Sequence, residues 1–333
     1  MMIQGKQVGP NQPAFLIGEM GINHNGDVKL AICLVEEAAR AGVDAVKIQL
    51  VDAAKDYTKG STSYETFKAV SLTLDEWKRV ATCARSNGVA MFASFARAEM
   101  IGVSRDLGFP AVKISSGNLT NYPLLKAVGA SGLPVIVSTG MSSLEEVRSS
   151  VMYLEAQGAK DIAVLHCTSL YPAPLSSVNL RAICTMMEAF PRQVIGWSDH
   201  TEGIALAPAA VALGAVVLEK HYTVDKSLPG PEHGFSVTID ELTAWVQSVR
   251  AMEVALGTGV KAPDTNELPL RTKLRRTLMA AQDLTKGDVL KPEDLVAMRA
   301  DVEGIGAECY ESLLGRVIQK DMRAGEPMTE HTL

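Results

Sequence analysis

Several things this sequence has little of narrow its reading before any motif is considered. Cysteine is scarce: Cys33, Cys83, Cys167, Cys184 and Cys309 are scattered, odd in number and never in a C-x-x-C spacing. That argues against a disulfide framework or a structural zinc site and predicts a reducing cytoplasm. An excess of positive charge is missing too. The net charge of -6 provides no basic footprint for nucleic acid, so an anionic ligand would have to be held by a local cluster of cations. No apolar stretch is long enough to span a bilayer, and Met1–Pro13 lacks the charged head and apolar run of a signal peptide. The most hydrophobic window, Gly203–Leu218, is interrupted by Pro208 and Gly214. It reads as a buried helix running into a strand.

Apolar bulk, by contrast, is plentiful: 47% of 333 residues, enough for a sizeable core. Through residue 257 short apolar runs alternate with amphipathic segments. The spacing predicts strands at Ala14–Gly21, Ala45–Leu50, Val89–Phe95 and Ala111–Ser115, then Pro134–Thr139, Asp161–Cys167, Val194–Asp199 and Val216–Tyr222. Helices are expected between them, among them Val28–Ala41, Leu74–Asn87, Leu144–Gln157 and Ile239–Leu256, with Gly42, Gly88, Gly158 and Gly257 placed to end them. Apolar runs buried on both faces and joined by helices mean a parallel sheet. Eight such units in about 250 residues is the size of a (β/α)₈ TIM barrel. An open doubly wound sheet is the alternative, but no Gly-rich fingerprint follows the first strand.

The pattern then changes. Thr258–Leu270 is rich in Pro, Gly and polar residues and reads as a linker. Beyond it come a β-like run at Leu278–Ala281, a turn at Lys286–Asp288 and a helix-like stretch near Glu311–Leu314. The expected organisation is a barrel over 1–260, a linker over 261–274 and a small β-rich domain over 275–333.

In a TIM barrel the chemistry sits at the C-terminal ends of the strands. This chain places there Glu19, Lys47 with Gln49, Ser94, Lys113 with Ser116, Ser138, Ser198 with His200, and Glu219 with His221. Charged residues inside an apolar strand are expensive unless paired or used. Two readings of Lys47 and Lys113 stand. Each could close a structural ion pair, or both, beside the serine hydroxyls, could hold a phosphate. His200 and His221 end successive strands and suit either a divalent metal or a pair of hydrogen-bonded imidazoles. Asn25-Gly26 reads as a turn and Asp27 as a helix cap, so Asn23, His24 and Asn25 could serve only to shape a loop. Cys167, after His166, could be a nucleophile, though a buried apolar thiol is the preferred reading.

At this point the residues become recognisable, and the chain resembles the sialic acid synthase family. The matching stretches are Ile17–Gly26 (IGEMGINHNG), Ala41–Gln49 (AGVDAVKIQ), Lys113–Gly117 (KISSG) and Pro134–Met141 (PVIVSTGM). Further on come Leu165–Pro174 (LHCTSLYPAP), Gly196–Gly203 (GWSDHTEG) and Val211–Pro231 (VALGAVVLEKHYTVDKSLPGP). Arg276–Arg299 and Leu314–Pro327 look like that family's C-terminal antifreeze-like (SAF) domain.

The resemblance implies a cytoplasmic transferase that joins phosphoenolpyruvate to an N-acetylated sugar aldehyde such as N-acetylmannosamine, releasing phosphate by C–O cleavage. It implies a divalent metal, usually manganese, on His200 and His221. Phosphoenolpyruvate contacts are implied for Lys47, Lys113, Ser116, Ser138 and Ser198, with Ser94 in a departing Ala-Ser-Phe context. Glu19, Gln49 and Tyr171 match active-site and sugar-side positions. Arg299 matches an arginine that the partner subunit inserts in a domain-swapped homodimer. Asn118 replaces an acidic residue, Glu232 replaces an aspartate, and Asp56–Val70 is shortened. All three departures lie toward the sugar. Glu19 or Glu232 is expected to stabilise cationic character or position the attacking water. A pseudaminic or legionaminic acid synthase is the near alternative. More distant ones are a Schiff-base aldolase using Lys113 and a non-catalytic carbohydrate- or ice-binding protein.

Overall fold

The computed structural model describes residues 1–333, apart from the side chain of Thr272. The chain folds as two compact units, Met1–Gly257 and Thr258–Leu333.

The first unit opens with a hairpin that the sequence pattern did not announce, β1 (Met2–Ile3) and β2 (Lys6–Gln7). Eight parallel strands then close into a barrel: β3 (Phe15–Gly21), β4 (Ala45–Gln49), β5 (Ala90–Ser94) and β6 (Val112–Ile114), followed by β7 (Val135–Ser138), β8 (Ile162–Cys167), β9 (Val194–Asp199) and β10 (Val217–His221). Each strand pairs with the next in sequence, and β10 returns to β3. The barrel expectation holds, and every expected strand is present within a residue of its bounds.

The strands form where they do because almost every residue in them is buried on one side or the other, which favours continuous apolar runs over alternation. The helices carry start signals that satisfy their free N–H groups. Asp27 caps Val28–Ala41 by accepting from the Lys29 N–H, and reciprocal capping boxes open the helices at Thr73, Ser143 and Thr238. Gly42, at φ 90°, ends the first helix in a left-handed conformation.

Two contacts fix the hairpin at the N-terminal ends of the strands. The Met1 ammonium lies 3.9 Å from Asp161, just before β8, and Lys6 lies 2.7 Å from Asp44, just before β4. Ile3 and Val8 join the barrel core.

The second unit has its own small core, including Leu278, Leu290, Ile318 and Met328. Among its described residues the one regular sheet is an antiparallel pair, β11 (Arg276–Ala280) with β12 (Leu295–Arg299), in which Arg276 faces Arg299. A helix over Leu268–Leu274 occupies part of the stretch that composition marked as linker. Pro269 sits in its first turn, where the missing N–H costs nothing.

Candidate active site

At the C-terminal mouth of the barrel is a cavity of about 590 Å³. Thirteen of the fourteen residues singled out from the sequence line it; the fourteenth, Arg299, is an exposed residue of β12 in the second unit.

Strand register assembles the charged floor. Glu19 is flanked by His221 of β10 on one side and Lys47 of β4 on the other. Lys47 Nζ lies 2.9 Å from Glu19 Oε2 and 3.7 Å from Glu219 Oε1. From the opposite side of the barrel Lys113 Nζ donates to the same Glu219 oxygen at 3.1 Å, and the Ser198 hydroxyl donates to it at 2.9 Å. Both lysines are therefore ion-paired within the barrel mouth. Glu219 is the hub: sequence reasoning placed it on the rim, two residues before His221, but gave it no role because its partners are remote in sequence.

The electrostatics follow from burial in a crowded cluster. Burial drives the Glu19 pKa up, and Lys47 only partly offsets it. Burial works against the Lys47 ammonium, but Glu19 and Glu219 outweigh it and hold its pKa above the ordinary value. Lys113 is pulled below the ordinary value by burial, with Glu219 opposing. For Glu219 burial acts upward, yet the two lysines hold the carboxyl down at about 2. Around these charges several buried polar atoms have no aligned hydrogen-bond partner: Ser138 Oγ, Glu219 Oε2 and Glu19 Oε2. The last is close enough to Lys47 for an ion pair but not aligned for a hydrogen bond. Such atoms are costly unless a ligand meets them.

Gln49 links the two candidate carboxylates. Its Nε2 donates to Glu19 Oε1 at 3.2 Å and to Glu232 Oε1 at 3.3 Å. Glu232 also lies 3.4 Å from His221 Nδ1. Burial would raise the Glu232 pKa, but His221, the Ile22 N–H and Lys47 together outweigh it and hold the carboxyl below its usual range. Gly21, at φ +54°, makes this approach possible, because a Cβ there would fall 2.2 Å from Glu232 Oε2.

His200 and His221 stand side by side, ring centroids 5.3 Å apart. Among the described residues no group of three metal-ligating side chains is assembled, so any ion would rest on these two and on ligands from outside. They suit that role. His200 Nδ1 bonds the Thr168 carbonyl at 2.8 Å, an orientation that leaves Nε2 for a ligand. His221 Nδ1 is buried without an aligned partner. Burial pulls the His200 pKa down, favouring the neutral, coordinating form. Tyr171 packs over His200 at 4.2 Å, and Phe235 lies 5.1 Å from His221.

The remaining readings separate cleanly. Ser116 Oγ accepts from the Gly140 N–H at 3.0 Å, and Ser94 is buried in the wall. Asn118 is tied to Ser115 and Asn121 within its own loop. Asn23 bonds the Tyr222 carbonyl and Ser236, and the Gly26 N–H donates to His24 Nδ1, so both shape the loop. Cys167 is buried, and burial pushes its thiol pKa up, which disfavours a nucleophilic thiolate. The Asp56–Val70 segment folds into a helix, Thr62–Ala69, and puts Asp56 and Tyr57 into the cavity wall, where Arg97 holds Asp56 at 2.7 Å. Neither wall residue carried a sequence signal, because an exposed-looking polar run gives no hint of what it covers.

A family model described as the NeuB family matches residues 34–261, and one described as the SAF domain matches residues 275–333. The N,N'-diacetyllegionaminic acid synthase of Legionella pneumophila is 38% identical, over 96% of this chain and 94% of its own. The N-acetylneuraminate-9-phosphate synthase of Homo sapiens is 31% identical, over 94% of this chain and 91% of its own. The crystal structure of an N-acetylneuraminic acid synthetase from Leptospira borgpetersenii, in complex with citrate, matches with a TM-score of 0.77 at 31% identity, covering 82% of this chain and 96% of that one.

Proposed function

Since the chain belongs to the NeuB family and its barrel is followed in sequence by a SAF domain, we propose that it condenses phosphoenolpyruvate with an N-acetylated amino-sugar aldehyde to give a nonulosonic acid and phosphate. The observation that carries this reading is the double lysine cluster at the barrel mouth, Lys47 and Lys113 sharing Glu219, next to the paired histidines.

Phosphoenolpyruvate is a polyanion, and the two ammonium groups are the local cations that bind and orient it. Ser94, Ser116, Ser138 and Ser198 supply hydroxyls for its remaining oxygens. A divalent metal on His200 and His221, proposed to be manganese, supplies Lewis-acid polarisation of the aldehyde carbonyl when bound. Tyr171 and Gln49 orient the sugar.

The C3 carbon of phosphoenolpyruvate forms the new bond to the aldehyde carbon, and the aldehyde oxygen takes up a proton to become a hydroxyl. Cationic character develops at C2, where water adds. Glu19 is the better acceptor for that water's proton, because burial makes its carboxylate more basic. Glu232, joined to Glu19 through Gln49, stays ionised and balances the charge at C2. The tetrahedral adduct then breaks its bond from C2 to the bridging oxygen and releases phosphate, while the C2 hydroxyl gives up its proton to leave the keto group.

Arg299 is proposed to serve the active site of a second subunit in a domain-swapped homodimer. Among the described residues no helix is long and apolar enough to cross a membrane, and the proposed location is the cytoplasm. Incubation with phosphoenolpyruvate, manganese and a panel of N-acetylated hexoses tests the activity. A new acidic product larger than the sugar by one pyruvyl unit supports it; consumption of phosphoenolpyruvate without such a product sinks it.

A further inference from the structure

The two histidines at the barrel mouth are joined from behind. Ser198, His200, Glu219 and His221 line the catalytic cavity. Asp199 and Lys220, which alternate with them along the chain, face the other way and are only 2% and 1% exposed. The two are register partners on β9 and β10, and Lys220 Nζ donates to Asp199 Oδ2 at 2.9 Å. One buried ion pair thus links the residue before His200 to the residue before His221.

Thr201, the residue after His200, closes the arrangement. Asp199 Oδ1 accepts from the Thr201 N–H and from its hydroxyl, both at 2.7 Å, and Lys220 donates to the Thr201 carbonyl. His200 is therefore held between two residues that are tied to each other and to the adjoining strand. It needs that support, because β9 ends at Asp199 and the pairing with β10 stops at Asp199 and Lys220. Each histidine has one further backbone anchor. The His200 carbonyl accepts from the Ala173 N–H at 2.9 Å, and the His221 carbonyl from the Val237 N–H at 3.0 Å.

The energetics favour a geometric role for the pair. A buried ion pair is a weak source of stability, and an apolar pair of similar volume often serves the fold as well or better. What the charges add is direction, since each donor must point at its acceptor. A site with only two protein ligands depends on such direction. Its supporting groups must hold the ligands to within about 0.5 Å, and outer partners of ligating histidines are typically worth about 10–100-fold in metal affinity.

We propose that the Lys220–Asp199 pair, closed by Thr201, is a clamp that fixes the relative placement of His200 and His221 and so sets the affinity of the site for a divalent cation. The inference rests on the reading of the two histidines as cation ligands and names what sets their geometry. Lys220, Asp199 and Thr201 are positioning residues, acting through the histidines they flank.

The test is calorimetric titration of the full chain with Mn²⁺ alone, beside urea unfolding of the same variants. The double variant Lys220→Met with Asp199→Leu leaves no buried charge unpaired. It is expected to keep much of the native stability yet bind Mn²⁺ about tenfold or more weaker. Thr201→Val keeps the side-chain shape and loses the hydroxyl; it should weaken binding about threefold, and Thr201→Ser should bind as the native protein does. His221→Ala should abolish binding. Native Mn²⁺ affinity in the double variant, with none in His221→Ala, overturns the clamp and leaves the metal reading standing. Mn²⁺ binding that survives His221→Ala overturns the metal reading and the clamp's role with it. Affinity that falls only in step with stability across the variants assigns the pair to folding alone and likewise overturns the proposal.

Discussion

Lys220 Nζ lies 2.9 Å from Asp199 Oδ2, and both side chains are almost wholly buried. The two residues are register partners on β10 and β9. Because neighbouring residues in a strand point to opposite faces, this pair sits outside the barrel directly behind the inward-facing Ser198, His200, Glu219 and His221. Lys220 also donates to the Thr201 carbonyl, and Asp199 accepts from both the N–H and the hydroxyl of Thr201 at 2.7 Å. The backbone that presents the two histidines is therefore braced from the rear.

Removing one partner leaves a buried charge without compensation. Lys220→Met is expected to cost about 3–5 kcal/mol, read from urea unfolding. The double variant Lys220→Met with Asp199→Leu should recover much of that loss. A single variant within about 0.5 kcal/mol of native would mean that the pair is solvated and braces nothing.

The barrel and its rim were legible in the sequence for one reason. Strands buried on both faces must be apolar, so Lys47, Lys113 and His221 stand out against Ala, Val and Ile. The charge hub was not legible, because Lys113 and Glu219 are 106 residues apart and meet only across the closed barrel. The hairpin at Met2–Gln7 was hidden by length: two-residue strands show no periodicity, and its turn at Gln4-Gly5, φ 46° and 78°, lacks the usual Asn or Asp. The helix Thr62–Ala69 was read only as a shortened segment. None of its residues is fully buried, and its sequence alternates too weakly to mark an inward face.

Lys47→Met and Lys113→Met keep the side-chain length and remove the charge. Each is expected to weaken phosphoenolpyruvate binding by about 1.5–3 kcal/mol and sugar binding far less, measured by calorimetry with each ligand. Lys47→Met should also destabilise the fold more than Lys113→Met, because it leaves the buried Glu19 without its cation while Glu219 keeps only Lys113. Equal losses for the two ligands would reduce both lysines to structural ion pairs.

His24 gives the fold a pH dependence. It is buried against Trp77 at 5.1 Å, and burial lowers its pKa from 6.5 to about 4. The folded state thus prefers the neutral ring, and the unfolded chain takes up a proton first as pH falls. Stability from this group is complete above the unfolded value, is lost progressively between about pH 6.5 and 4, and amounts to about 3 kcal/mol at most. The urea midpoint of the native protein should drop over that range, and His24→Gln should flatten part of the slope. Parallel curves for the two proteins would contradict it.

The proposed role of Arg299 makes a prediction about mixed subunits. Arg299→Ala should raise the KM for the sugar and leave that for phosphoenolpyruvate nearly unchanged. Mixing an Arg299→Ala subunit with a His221→Ala subunit should restore part of the activity, since one site per mixed dimer then holds both residues. Mixed dimers that form without recovery would confine Arg299 to its own chain.

The central claim is that Lys47, Lys113 and the paired histidines carry a condensation in which phosphate departs with the bridging oxygen. It is tested most directly with phosphoenolpyruvate carrying a heavy-oxygen label at that bridge, turned over with an N-acetylated amino-sugar aldehyde, with the released phosphate examined by phosphorus NMR. The account predicts that the phosphate retains the label, because water adds at C2 and the C–O bond breaks. Unlabelled phosphate, with the heavy oxygen kept in the keto acid, would mean cleavage at phosphorus and would contradict it.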